Sequence, residues 1–267
     1  MGFPGANTER EEADYVLLGA PLDISTSFQP GTRFGPRRVR HYARTFDDYD
    51  HRTGQHFTSL RVHDAGDLDG WDDAGEYLEF LSGTLSDVVH EGSVPLLVGG
   101  EHTVSAAGVR ATKPDIFVCL DAHLDLRDEY AGNELSHATT TRRVLDMVDE
   151  AVILGARTGS EAEWKRTERG DVTVIPPESV ADWKPKFDGS VYLSVDIDAA
   201  DPGFAPGTGT PEPFGLAPRE MRAVVRTVAP YSTGFDLVEV NDRDDGQAAS
   251  LGAKLLREFV FSHAARC

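Results

Sequence analysis

Short apolar runs alternate with longer amphipathic stretches along the whole chain. The runs at 15–18, 94–98, 116–121, 151–154, 172–175, 191–196 and 235–240 are rich in Val, Ile and Leu and mostly unbroken. Continuous rather than alternating apolar character suits strands covered on both faces, as in a parallel sheet. Between them, 72–90, 104–111, 140–149, 160–169, 218–228 and 249–264 carry apolar residues at helical spacing. This alternation predicts an α/β fold: a single three-layer domain with a mostly parallel sheet flanked by helices and joined by right-handed crossovers. The Gly/Pro clusters at 29–36 and 201–215 read as loops too short to separate domains, so residues 1–267 are expected to form one domain.

Ligands of such sheets bind outside the carboxyl ends of the strands. Four of the apolar runs end in residues that can do chemistry: Gly99-Gly100-Glu101-His102, Asp121-Ala122-His123-Leu124-Asp125, Asp196-Ile197-Asp198 and Glu239. Asp121, His123 and Asp125 alternate, which at a fraying strand end turns their side chains to one side. Two carboxylates around an imidazole suit hard or borderline divalent ions such as Mn²⁺. Asp196 and Asp198 form a second alternating pair, and His102 adds another imidazole. A lone Asp at a strand end is ordinarily a cap or turn former. Three such elements at three strand ends point instead to one metal site. Four carboxylates carry more charge than one divalent ion needs, and two ions would balance them.

Composition narrows the partners. The chain is 40% hydrophobic, which excludes a disordered or low-complexity protein. Its 26 basic and 45 acidic residues give a net charge of −19, so neither nucleic acid nor an anionic membrane is an expected partner. The charged opening residues do not resemble a signal peptide, and two cysteines are too few for a disulfide framework; a cytoplasmic location is expected. With five lysines against 21 arginines and 27 aspartates, the surface is of the kind that high salt screens. Cys119 reads as a small buried hydrophobe. His41, His51, His56, His90 and His263 read as surface residues, and Arg33 as lining either the site or an oligomer contact.

The three elements at 99–102, 121–125 and 194–202 (Ser-Val-Asp-Ile-Asp-Ala-Ala-Asp-Pro) resemble the signature motifs of the ureohydrolases. These are binuclear manganese enzymes that include arginase, agmatinase, guanidinobutyrase and formimidoylglutamase. The resemblance extends to 30–36, His63-Asp64-Ala65-Gly66-Asp67, 206–211 and Val238-Glu239-Val240. It implies the arginase/deacetylase-like fold and two Mn²⁺ per chain, one on His102, Asp121, Asp125 and Asp196, the other on His123, Asp121, Asp196 and Asp198. It also implies that Glu239 receives a small cationic guanidino substrate and that His137 relays a proton to the leaving amine. Asp125 would accept a hydrogen bond from the nucleophile, and the chain would assemble as a homo-oligomer, trimer or hexamer. Glu101 and Asp242 depart from the family pattern at positions that are not metal ligands.

Leu135-Ser136-His137-Ala138-Thr139 resembles the agmatinase version of its loop, and 124–130 resembles archaeal agmatinases, which fits the salt-loving composition. The expected reaction is hydrolysis of agmatine to putrescine and urea, a step of polyamine biosynthesis. Guanidinobutyrase, formimidoylglutamase and aminopropylagmatine ureohydrolase are the rivals within the family. A zinc-dependent polyamine deacetylase, which needs one metal rather than two, and a metal-binding regulator without turnover are the rivals outside it.

Overall fold

The apolar runs pair into one sheet. The computed structural model describes residues 2–265. Its strands are β1 (Tyr15–Ala20), β2 (Tyr49–Asp50), β3 (Gln55–His56), β4 (Val62–Asp67), β5 (Val94–Gly99), β6 (Ile116–Leu120), β7 (Glu150–Leu154), β8 (Val172–Ile175), β9 (Val191–Asp196) and β10 (Ser232–Val238). Its helices are α1 (Gly35–Tyr42), α2 (Ala74–His90), α3 (Ser105–Thr112), α4 (Thr140–Val144), α5 (Glu161–Thr167), α6 (Pro218–Val228) and α7 (Gln247–Ala264). Eight strands form the main sheet in the order β4-β1-β5-β10-β9-β6-β7-β8, and β2 and β3 make a separate hairpin. Every pairing in the main sheet is parallel.

Burial on both faces explains the unbroken apolar runs. In β6, Ile116, Val118 and Leu120 pack into the cluster that holds α1, α6 and α7. Phe117 and Cys119, pointing the other way, pack with Val109 of α3 and Val144 of α4. Helix α2 covers the same second face beside β1 and β5. The expected three layers are therefore present, with Cys119 buried as expected.

Four elements escaped the apolar pattern: the hairpin strands β2 and β3, the edge strand β4 and the helix α1. Edge strand β4 reads Val-His-Asp-Ala-Gly-Asp, and α1 is a short helix carrying three arginines and histidine that begins where the loop read at 29–36 ends. Of these, β4 and α1 each supply the other's missing stability. Arg40 of α1 grips both oxygens of Asp64 at 2.8 Å and also pairs with Asp67. Gly19 in β1 makes this possible, because a Cβ there would lie 1.9 Å from Asp67 Oδ1. The helix expected over 140–149 stops at Val144, and Asp149 N–H then donates to the Asp115 carbonyl, which aligns β7 with β6.

One surface expectation is corrected. His263 is buried on α7, within 2.7 Å of the Tyr15 hydroxyl through Nδ1 and 3.1 Å of the Ser232 carbonyl through Nε2. A helical face that is apolar around it (Phe259, Val260, Phe261) draws the imidazole inside, where two partners satisfy it. No helix among the described residues is long and apolar enough to cross a membrane.

Candidate metal centre and active site

The four middle strands β5, β10, β9 and β6 are neighbours, and each presents functional residues at its carboxyl end. Beyond β5 the chain must slip past Leu22. A Cβ at Gly100 would sit 1.8 Å from the Leu22 carbonyl oxygen, so only glycine fits. His102 follows in a 3₁₀ turn. The departing residue Glu101 anchors a loop: its carboxylate accepts the N–H groups of Ile24 and Ser25 and the hydroxyls of Ser25 and Thr103.

The predicted ligands converge in two overlapping groups. His102 Nδ1 lies 3.2 Å from Asp121 Oδ2, 3.0 Å from Asp125 Oδ2 and 3.5 Å from Asp196 Oδ2. His123 Nδ1 lies 3.0 Å from Asp198 Oδ2 and 3.5 Å from Asp121 Oδ1. Asp121 thus turns one oxygen toward each imidazole. Backbone donors orient the acids: Ala122 N–H to Asp198 at 3.0 Å, and Asp198 N–H to Asp196 at 2.9 Å.

Crowding sets the protonation. Burial, and after it the charge of Asp121, pushes the Asp125 carboxyl up to about 6. Burial and then the charges of Asp198 and Asp121 hold Asp196 well above the usual carboxylate range. The imidazoles move the opposite way. Burial disfavours charge on His123, yet Asp198 and Asp121 raise it to about 12. His102 is likewise held well above its ordinary value, against its burial, by Cys119, Asp121 and Asp125. Protons therefore offset the buried carboxylates, and cations bound by these oxygens and nitrogens would replace them. The donor set of carboxylate oxygen with imidazole nitrogen fits divalent ions such as Mn²⁺.

Glu239 and His137 complete the site. Glu239 Oε1 accepts the His102 N–H at 2.8 Å and lies 3.4 Å from His137 Nδ1. Its other oxygen, Oε2, is buried and unpartnered. Both Asp125 and Glu239 hold the left-handed backbone region, with φ of 51° and 61°. Strain of this kind costs about 1–3 kcal/mol at a residue and collects where geometry serves function. His137 begins a 3₁₀ turn capped by Ser136, and its Nε2 sits 3.0 Å from the Ser27 hydroxyl. Burial opposes its charge, but Glu239 raises it to about 9.

A cavity of about 340 Å³ is lined by His123, Asp125, His137, Asp196 and Asp198. Its lining also includes Arg127 and Tyr130 of the 124–130 stretch, Thr210 of 206–211, and Ser27 and Glu163, which lie in none of the motifs. Arg127 pairs with Glu163 at 3.2 Å and lies over the Tyr130 ring. Arg33 does not line the cavity; it pairs with Asp23 at 3.2 Å and is largely exposed. Ser27 reaches His137 across 110 residues of chain, a proximity that only the assembled sheet creates.

A parallel sheet that brings carboxylates and imidazoles together at its carboxyl edge has the donor set of a divalent-metal site. Residues 13–262 match the arginase family, and the chain belongs to it. It is 32% identical to the agmatinase of Bacillus subtilis (strain 168) over 97% of this chain and 94% of the relative. The guanidinobutyrase of Pseudomonas aeruginosa is 34% identical, across 94% of this chain and 87% of its own. The crystal structure of the agmatine ureohydrolase of Thermoplasma volcanium matches with a TM-score of 0.92 at 32% identity, covering 99% of this chain and 94% of that one. The chain is accordingly an agmatinase-like ureohydrolase, an enzyme of guanidino C–N bonds.

Proposed function

We propose that residues 1–267 act as one unit that hydrolyses agmatine to putrescine and urea with two Mn²⁺ per chain. The observation that carries this reading is the pair of imidazole–carboxylate groups sharing Asp121 through both of its oxygens. One ion would be held by His102, Asp121, Asp125 and Asp196, the other by His123, Asp121, Asp196 and Asp198. Two overlapping groups, rather than one, favour this over a single-zinc deacetylase. Bound there, divalent ions lower the pKa of water from 15.7 toward ~7 and so supply a nucleophile at neutral pH.

The chain's own residues do the rest. The free Oε2 of Glu239 accepts guanidinium N–H groups by charge-assisted hydrogen bonds, while its Oε1 is fixed by the His102 backbone. Asp125 accepts a hydrogen bond from the attacking water. The amine that leaves needs a proton, and His137, charged below about pH 9, holds one within reach of the same carboxylate.

The acids lining the cavity favour the cationic tail of agmatine. A second reading, 4-guanidinobutyrate, is favoured by the partly exposed Arg127 at the rim, which can meet a carboxylate tail, and by the Pseudomonas relative. Urea release decides between them, measured with and without Mn²⁺ on agmatine, 4-guanidinobutyrate, arginine and aminopropylagmatine. Mn²⁺-dependent release from agmatine with the highest kcat/KM supports the first reading. No urea from any of the four would sink both. On family resemblance we further read the protein as a cytoplasmic homo-oligomer of polyamine biosynthesis, a trimer or hexamer that sedimentation would identify.

A further inference from the structure

Asp236 occupies the middle of β10 with no exposed surface. Its neighbours Phe235 and Leu237 face the α6 and α7 side, so its carboxyl points to the opposite, α3 side. A carboxyl group at the centre of an apolar strand is costly unless its hydrogen bonds compensate. The Ser194 hydroxyl donates to Oδ1 at 2.6 Å. The Ser105 and Tyr192 hydroxyls stand near the carboxyl, but Oδ2 has no partner at hydrogen-bonding geometry. The register places Asp236 and Ser194 side by side, one in β10 and the other opposite it in β9.

Ser194 has a second neighbour. Its Oγ lies 3.2 Å from His102 Nε2, while Cys119 Sγ stands further off at 3.7 Å. A hydroxyl has one proton to give, and a neutral imidazole carries one proton on one of two nitrogens. Because Ser194 gives its proton to Asp236, it can only accept from Nε2. In the neutral, cation-binding form of His102 the one remaining proton then sits on Nε2, which leaves Nδ1 bare, and Nδ1 is the nitrogen that faces Asp121, Asp125 and Asp196.

We propose that Asp236 is a positioning residue for the metal ligand His102, acting through Ser194 to hold the imidazole in its cation-binding tautomer. Without the carboxylate, the Ser194 hydroxyl is free to donate to Nε2. The ring proton would then move to Nδ1 and stand where the cation belongs. Partners of this kind behind a ligating histidine affect metal affinity by about 10–100-fold. The inference rests on the metal reading above and adds to it a cost confined to one of the two ions.

Stepwise Mn²⁺ affinities by equilibrium dialysis test it, without substrate, alongside the melting temperature of the metal-free protein. Asp236→Asn keeps the shape, but its amide can donate to Ser194. It should weaken one of the two ions by about 10–100-fold and leave the other within twofold. Ser194→Ala should do the same, and the double variant should be no worse than Ser194→Ala alone, because the two act through one chain of hydrogen bonds. Tyr192→Phe, which removes a hydroxyl beside Asp236 without touching Ser194, should leave both affinities unchanged. If Asp236→Asn does not fold, Ser194→Ala decides the matter by itself. Equal weakening of both ions, unchanged affinities with a lower melting temperature, or additive losses would each overturn the proposal. Wild-type protein that binds no Mn²⁺ would instead overturn the metal reading on which it stands.

Discussion

Glu239 and His137 are a contacting pair: Glu239 Oε1 lies 3.4 Å from His137 Nδ1. Two residues expected to serve different steps therefore share one proton environment. Replacing Glu239 by Gln removes the charge that raises His137 and leaves the burial that opposes it. In the metal-free protein the His137 titration should move down from about 9, read by NMR of the imidazole. A titration unmoved by the substitution would show that the contact does not set it.

The same pair predicts different kinetic losses. Leaving a bound guanidinium without its anion costs about 2–5 kcal/mol, so Glu239→Ala should lower kcat/KM at least tens-fold. His137→Asn should lower kcat by ~10²–10⁴-fold with little change in KM, as for a lost general acid. Wild-type turnover of His137→Asn across pH 6–10 would remove the residue from the mechanism.

Metal analysis after Mn²⁺ reconstitution should find about two ions per chain. His123 contributes only to the group with Asp198 and Asp121 Oδ1. His123→Ala should thus retain one ion and lose most activity. Full turnover with one ion would contradict the assignment.

Arg40 and Asp64 give a pH-dependent stability at the edge strand of the sheet. Burial would raise the Asp64 carboxyl, but Arg40 and the Gly66 and Phe3 N–H groups lower it below its ordinary 3.8. The stability it supplies is therefore present above about pH 3.8 and is lost as pH falls through the lower folded value. Arg40→Met leaves a buried carboxylate unpaired, at a cost of about 3–5 kcal/mol at pH 7. Urea denaturation of both proteins, at pH 7 and at a pH below 3.8, should show the smaller gap at the acid pH. An equal gap at both pH values would mean the ion pair is not its source.

Salt should stabilise the protein. At a net charge of −19, lengthening the Debye length from ~3 Å at 1 M to ~10 Å at 0.1 M exposes more self-repulsion. The melting temperature should fall on dilution into low salt. Equal melting in 0.1 M and 2 M KCl would count against a salt-adapted surface.

The middle of the molecule was legible because its strands are apolar on both faces and then stop abruptly at acids and histidines. The periphery was not. Strand β4 has no apolar face to recognise, since Asp64 and Asp67 are held by Arg40, a partner that lies on a different element. Asp236 was hidden by the opposite effect: one polar residue inside an apolar run leaves the strand pattern intact, and its meaning comes only from the neighbouring strand's Ser194. Ser27 lies in a loop whose sequence carries no spacing signal; only the folded chain brings it to His137.

The proposed cation ligands sit at the ends of three of the four innermost strands of an eight-stranded sheet, β5, β6 and β9, and the fourth, β10, ends in Glu239. Fraying at either rim, β4 or β8, leaves them in register. Backbone amides of β5, β6, β9 and β10 should exchange with solvent only when the whole sheet opens, while those at the rims exchange through smaller openings. Escape of ions held there by disassembly of their cage would then be as rare as complete unfolding, so chelators would have to draw them out through the mouth of the cavity.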